Sequence, residues 1–189
     1  MTRIGIFGGS FDPPHRAHLE IAIRATEQMP LDTLYFVPSY RSPLKQMPAV
    51  APAHHRMAMT QLLAGLRSEW RVLSYEIDKG RAVPTIETVD DLKRHHPQAS
   101  CYLIMGGDQA GQFTTWHEWR RLAELVHIVC FTRAGAPPVV PFTADLTIIP
   151  YYAQLASTMV RGQIGRGEST GDSLAPVVRD YIEEHRLYQ

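Results

Sequence analysis

The sequence predicts an α/β protein built on a doubly wound parallel sheet, three layers deep, with helices over both faces. Three observations carry this expectation. Short apolar runs alternate with helical segments along the whole chain. The runs are continuously apolar, as strands buried on both faces are, and do not alternate apolar with polar. The Gly-, Pro- and His-bearing segments follow directly after apolar runs, at the carboxyl edge where such sheets bind ligands.

In chain order, residues 3–8 read as a buried strand and 9–14 as a loop. Residues 15–29 read as a helix, with Leu19, Ala22, Ile23 and Ala25 mostly on one face. Residues 33–38 (Thr-Leu-Tyr-Phe-Val-Pro) form a second strand, and the three prolines of 39–52 mark a loop. Residues 54–66 are helical, with Met57, Leu62, Leu63 and Leu66 as apolar contacts, and 70–77 read as a third strand. Pro84 suits the start of a helix over 85–95. A fourth strand over 100–105 ends in Gly106-Gly107-Asp108. A helix at 119–125, strands at 126–132 and 146–150 around a Pro- and Gly-bearing loop, and closing helices at 158–165 and 174–186 complete the pattern. The 189 residues fit one domain, with a C-terminal helical part from about 157.

Composition narrows the function classes. The hydrophobic fraction is 44% and the charged fraction 20%, ordinary for a globular chain. Lys plus Arg and Asp plus Glu are both 19, so bulk charge favours neither nucleic acid nor a membrane surface. Cys101 and Cys130 sit in apolar runs and read as buried free thiols. No signal-peptide pattern and no apolar run of membrane-spanning length is present, so a cytoplasmic setting is expected.

The chemistry concentrates in two segments. Gly8-Gly9-Ser10-Phe11-Asp12-Pro13-Pro14-His15-Arg16-Ala17-His18 links the first strand to a helix. Its glycines let backbone N–H groups approach an anion, and the helix start adds partial positive charge. His15 and His18 are three apart and share a helix face, so both imidazoles can donate to phosphate oxygens. Neither a Walker loop nor a G-x-G-x-x-G fingerprint is present. Zinc is the competing reading of the histidine pair, with Asp12 as the one nearby candidate for a third ligand. The second segment, Ala156-Ser157-Thr158-Met159-Val160-Arg161, offers Ser157 and Thr158 as N-caps and a guanidinium one turn on, again a set suited to an anion.

Together these segments resemble the signatures of the nucleotidyltransferase superfamily, Gly-x-Phe-Asp-Pro-x-His-x-Gly-His and Ile-Ser-Ser-Thr-x-Ile/Val-Arg. Within it the chain is similar over nearly its whole length to the bacterial nicotinate-nucleotide adenylyltransferases. Pro43-Leu44-Lys45, Pro84-Thr85-Ile86-Glu87-Thr88, Gly106-Gly107-Asp108, Trp116-His117-Glu118-Trp119, Arg133 and the closing Tyr181-Ile182-Glu183-Glu184-His185-Arg186-Leu187-Tyr188 also match. Ala17 stands where the signature has Gly, Leu44 where the family often has His, and Ala82-Val83-Pro84 where it commonly has Pro-Ser-Tyr.

The resemblance implies a Rossmann-like fold and the reaction of ATP with nicotinate mononucleotide to give nicotinate adenine dinucleotide and pyrophosphate, a step of NAD biosynthesis. Its implied partners are ATP and a pyridine mononucleotide, with no nucleic acid and no membrane; oligomeric state is left open, a homo-oligomer included. The substrate phosphate is the nucleophile and needs no protein base, so catalysis reduces to positioning and charge stabilisation. The implied catalytic residues are His15, His18 and Arg161. Gly8, Gly9, Ser10, Phe11, Gly106, Asp108, Ser157 and Thr158 join His18 and Arg161 as ATP contacts. Lys45, Thr85, Trp116, His117 and Arg133 are the substrate contacts. Mg²⁺ is expected on the ATP phosphates, with no dedicated protein metal site. A nicotinamide-preferring or other small-phosphate nucleotidyltransferase is the nearest alternative, and a nucleotide sensor without turnover is the alternative of another class.

Overall fold

The computed structural model describes residues 2–41, 48–132, 145–151 and 154–189. Six strands form one sheet: β1 (Arg3–Gly9), β2 (Thr33–Pro38), β3 (Trp70–Val72), β4 (Ser100–Gly106), β5 (Val126–Thr132) and β6 (Leu146–Pro150). Their order is β3-β2-β1-β4-β5-β6, and every neighbouring pair runs parallel. The expected doubly wound sheet is therefore present. Strand order reverses between β1 and β4, whose register pairs Phe7 with Ile104. The loops after these two strands diverge there and leave a crevice.

Helices cover both faces, each through its apolar side. One face buries Ala22 and Ala25 of α1 (Arg16–Gln28), Met59 and Leu63 of α2 (Ala53–Ala64), Val160 of α7 (Ser157–Gly165), and Val178 and Ile182 of α8 (Pro176–Glu184) against Phe7, Leu34 and Phe36. The other buries Ile86, Val89 and Leu92 of α4 (Thr85–His95) and Leu122 of α6 (Trp119–Leu125) against Ile4, Ile6 and Leu103. Cys101 and Cys130 are free and buried, as their apolar settings required. Burial raises both thiols, and that of Cys130 is pushed up to about 11.

Several expectations are corrected. The third strand ends at Val72, not at residue 77, and Tyr75–Asp78 forms the short helix α3. Leu73 still donates to Phe36 O at 2.9 Å, but Asp78 N then bonds to Ser74 O and the Ser74 hydroxyl bonds to the Asp78 carboxylate. These local bonds, with acids in the first turn, outcompete strand pairing for residues with one neighbour strand. The second helix starts one residue earlier and ends two residues earlier than expected. Gly107–Ala110 is a further short helix, α5, and Phe113–Thr115 a 3₁₀ turn. Ser157 and Thr158 do not cap α7: the N-cap is Ala156, and Ser157 is already helical.

Candidate active site

An open cleft of about 1230 Å³ lies at the β1/β4 reversal. It gathers residues from loops far apart in sequence. Gly8, Gly9, Ser10, His15 and His18 come from the first loop and α1; Thr85 from α4; Gly106, Asp108, Trp116 and His117 from the segment after β4; Ser157, Thr158 and Arg161 from α7. Of the residues expected from sequence, Phe11 is the one described residue that does not line the cleft. Its ring is buried among Phe7, Phe36 and His18, with centroids 5.7, 5.8 and 5.0 Å away, so only its backbone is left for a ligand. Lys45 and Arg133 lie outside the described residues.

The glycines divide by what surrounds them. A side-chain carbon added at Gly9 would come within 3.1 Å of the Phe11 ring. At Gly8 or Gly106 it would meet nothing within 4 Å, so those positions face open space on either side of the crevice. Phe11 itself has φ 47°, a left-handed conformation unusual for a bulky side chain. Its buried ring holds the turn that swings the chain from β1 to the histidines.

His15 is the N-cap of α1 and His18 its third residue. The His15 backbone N–H donates to His18 Nδ1 at 3.1 Å. With Nδ1 accepting, a neutral His18 ring carries its proton on Nε2, the tautomer that can donate to an oxygen anion. The two rings stack with centroids 3.8 Å apart. His15 is 6% exposed, and its Nδ1 has no hydrogen-bond partner. Burial lowers its pKa to about 4, so it is neutral at physiological pH.

The two phosphate-like segments are tied together. The Ser157 hydroxyl donates to Pro13 O at 3.0 Å, and Arg161 Nη1 donates to Asp12 O at 2.6 Å. Arg161 therefore reaches across to the first loop. Asp12 is not free to ligate a metal. Its carboxylate accepts from Val50 N (2.7 Å), Ala51 N (3.0 Å) and the Tyr188 hydroxyl (2.9 Å). Among the described residues no group of three or more His, Cys, Asp and Glu side chains could hold a metal ion.

Sequence reasoning missed several participants. Arg56 is 1% exposed and donates to Ser10 O, Ser39 O, Tyr40 O and Ala51 O, which pins the loops after β1 and β2. Its place three and seven residues before Met59 and Leu63, on the face of α2 that is buried, was the available signal. Tyr151, Gln154 and Leu155 line the cleft after β6; their place just past a strand could have marked them. Trp116, expected from the sequence, is half-buried against Phe113, centroids 5.3 Å apart, with its indole N–H buried and unpartnered. Glu76 and Thr88 also line the cleft, joined by a 3.1 Å hydrogen bond.

Known proteins resemble this chain in sequence and fold. Residues 6–163 match the family model described as cytidylyltransferase-like. Full-length relatives carry the name "Probable nicotinate-nucleotide adenylyltransferase". That from Salinibacter ruber is 33% identical over 98% of this chain and 97% of its own length. That from Bordetella petrii is 33% identical over all of both chains. Among solved structures, a Plasmodium falciparum nicotinic acid mononucleotide adenylyltransferase complexed with NaAD has a TM-score of 0.80 at 21% identity, covering 100% of this chain and 98% of that one. Shared fold, a family match across most of the sequence and full-length relatives at one third identity place this chain in the nicotinate-nucleotide adenylyltransferase family of the cytidylyltransferase-like proteins.

Proposed function

We propose that the protein joins the AMP moiety of ATP to nicotinate mononucleotide, giving nicotinate adenine dinucleotide and pyrophosphate, in NAD biosynthesis. The observation that carries the reading is the cross-tie between the first loop and α7. Two imidazoles on one side and Thr158 with a guanidinium on the other face one crevice, and Ser157 and Arg161 bond to Pro13 and Asp12 of the first loop. That is a donor set spaced for a chain of phosphates.

The chemistry needs no covalent step on the protein. A phosphate oxygen of the mononucleotide attacks the α-phosphorus of ATP, and the bond to the α–β bridging oxygen breaks as pyrophosphate leaves. His18, with its proton on Nε2, donates to the α-phosphate, where negative charge grows in the transition state. His15, neutral and buried, fixes that ring by stacking and by its backbone N–H. Thr158 and Arg161, with the backbone N–H of Ser157 at the start of α7, hold the departing pyrophosphate. Imidazoles, hydroxyls and a guanidinium suit phosphate oxygens and leave a hard cation to phosphate and water ligands, so Mg²⁺ fits as a passenger on ATP that neutralises its charge. Thr85, the Trp116 indole and His117 frame the pyridine ring.

Pyrophosphate release with Mg²⁺-ATP and either nicotinate or nicotinamide mononucleotide tests the reading. Release with the nicotinate form is expected, and His18→Ala should lower kcat by about 10²- to 10³-fold. ATP binding with no release from either nucleotide would leave the sensor reading standing.

A further inference from the structure

An acidic side chain lies where an acidic substrate has to fit. Glu76 sits on α3 with 7% exposure and lines the cleft beside Val83, Pro84, Thr85 and Thr88. One carboxyl oxygen accepts from the Thr88 hydroxyl at 3.1 Å; the other makes no hydrogen bond among the described residues. Thr85 and Thr88 are three apart on α4, so they share a face and stand one turn from each other. Glu76 is therefore held within about one helical turn of the α4 start, where Pro84 provides no capping side chain, the Glu87 N–H turns back to Pro84 O, and those of Thr85 and Ile86 remain. Those open groups suit the carboxylate of a nicotinate ring. An ionised Glu76 would oppose it.

The charges around Glu76 do not neutralise it. On its own element, Asp78 is bound by the Ser74 hydroxyl, and the Lys79 ammonium lies over the Tyr75 ring. On α4, Glu87 is the charge that acts on it, in the raising direction, and Glu87 is itself paired with Arg81 at 2.6 Å. β2, which packs against α3, carries Tyr35 as its one titratable group. No cation is paired with Glu76 among the described residues. Burial, opposed in part by the Thr88 hydrogen bond, pushes its carboxyl up to about 7.

We propose that Glu76 is a specificity-determining residue of the pyridine end of the cleft: as the neutral acid it accepts a substrate carboxylate beside it, and as the carboxylate it disfavours the acid and favours the amide. This rests on reading the cleft as a pyridine-mononucleotide site. The neutral carboxyl has a proton to donate toward a ring carboxylate. The ionised carboxyl has only lone pairs, which suit an amide N–H and repel a second carboxylate. Acid-versus-amide preference is thus coupled to one proton on the protein.

The test is kcat/KM for nicotinate and for nicotinamide mononucleotide from about pH 6 to about pH 9. Their ratio cancels every titration common to both, including those of ATP, the substrate phosphates and the histidines. In the native protein the acid-to-amide ratio should fall at least about tenfold over that range. Glu76→Gln, neutral at every pH, should hold the ratio flat near its low-pH value. Thr88→Val removes a hydrogen bond that favours the ionised form and should move the fall to higher pH, a change that a merely structural role would not produce. A flat ratio in the native protein, or an unchanged fall in Glu76→Gln, overturns the inference and leaves the adenylyltransferase reading intact. Turnover of neither nucleotide overturns both.

Discussion

His15 illustrates how one side chain carries both structure and chemistry. It caps α1, stacks on His18 and stays neutral because it is buried. Its pKa is lowered on folding, so the unfolded chain binds the extra proton and stability falls as acid is added. The loss begins as pH drops below about 6.5 and is complete near the folded value of about 4, amounting to up to about 3 kcal/mol. His15→Phe, which cannot take up that proton, should lose less than the native protein between pH 7 and pH 4.5. Denaturant midpoints at the two pH values measure the difference, and equal losses would refute the assignment. The histidine pair was legible in sequence because three-residue spacing at a helix start has few other uses. Glu76 and Arg56 were not, because their meaning lies in burial. The Glu of Ser-Tyr-Glu-Ile-Asp falls in a segment that reads as a strand, and nothing in that reading shows that the fold encloses it.

At the scale of elements, α2 is held less by packing alone than by the loops it grips. Arg56 projects from it under the ends of β1 and β2 and donates to four carbonyls. Arg56→Met should cost about 3–5 kcal/mol, read by denaturant melting, since it strands those carbonyls. Arg56→Lys should recover little of that, because an ammonium cannot span a fork-shaped set of acceptors. Full recovery by lysine would mean that charge, not geometry, is what matters there. Element types were legible wherever an apolar run was long and bounded, as in β1, β4 and β5. They were not legible at residues 70–77, where an edge strand with one neighbour gives way to a turn built from Ser74 and Asp78. Periodicity reports which face is buried; it does not report which local hydrogen bond wins.

Across the whole molecule, the cleft exists because strand order reverses beside two glycines that keep side chains out of it. A carbon added at Gly5 would press within 2.7 Å of Leu31 and Leu34, whereas at Gly8 or Gly106 it would enter empty space. Gly8→Ala and Gly106→Ala should therefore melt within about 1 kcal/mol of the native protein while losing at least about tenfold in kcat/KM for ATP. Gly5→Ala should do the reverse, lowering stability first. An equal stability loss at all three positions would show that the crevice glycines serve the backbone, not the ligand. The cross-tie from Arg161 to Asp12 spans 149 positions in sequence. Closing so long a loop is entropically costly and late, so this bond forms after the sheet that supports it. During synthesis the first loop leaves the ribosome long before Arg161 has been made. A nascent chain thus carries the histidines and the glycine crevice with nothing opposite to receive a triphosphate. On the function proposed above, nucleotide capture would be deferred until α7 docks, and an unfinished chain would compete poorly with the finished protein for ATP.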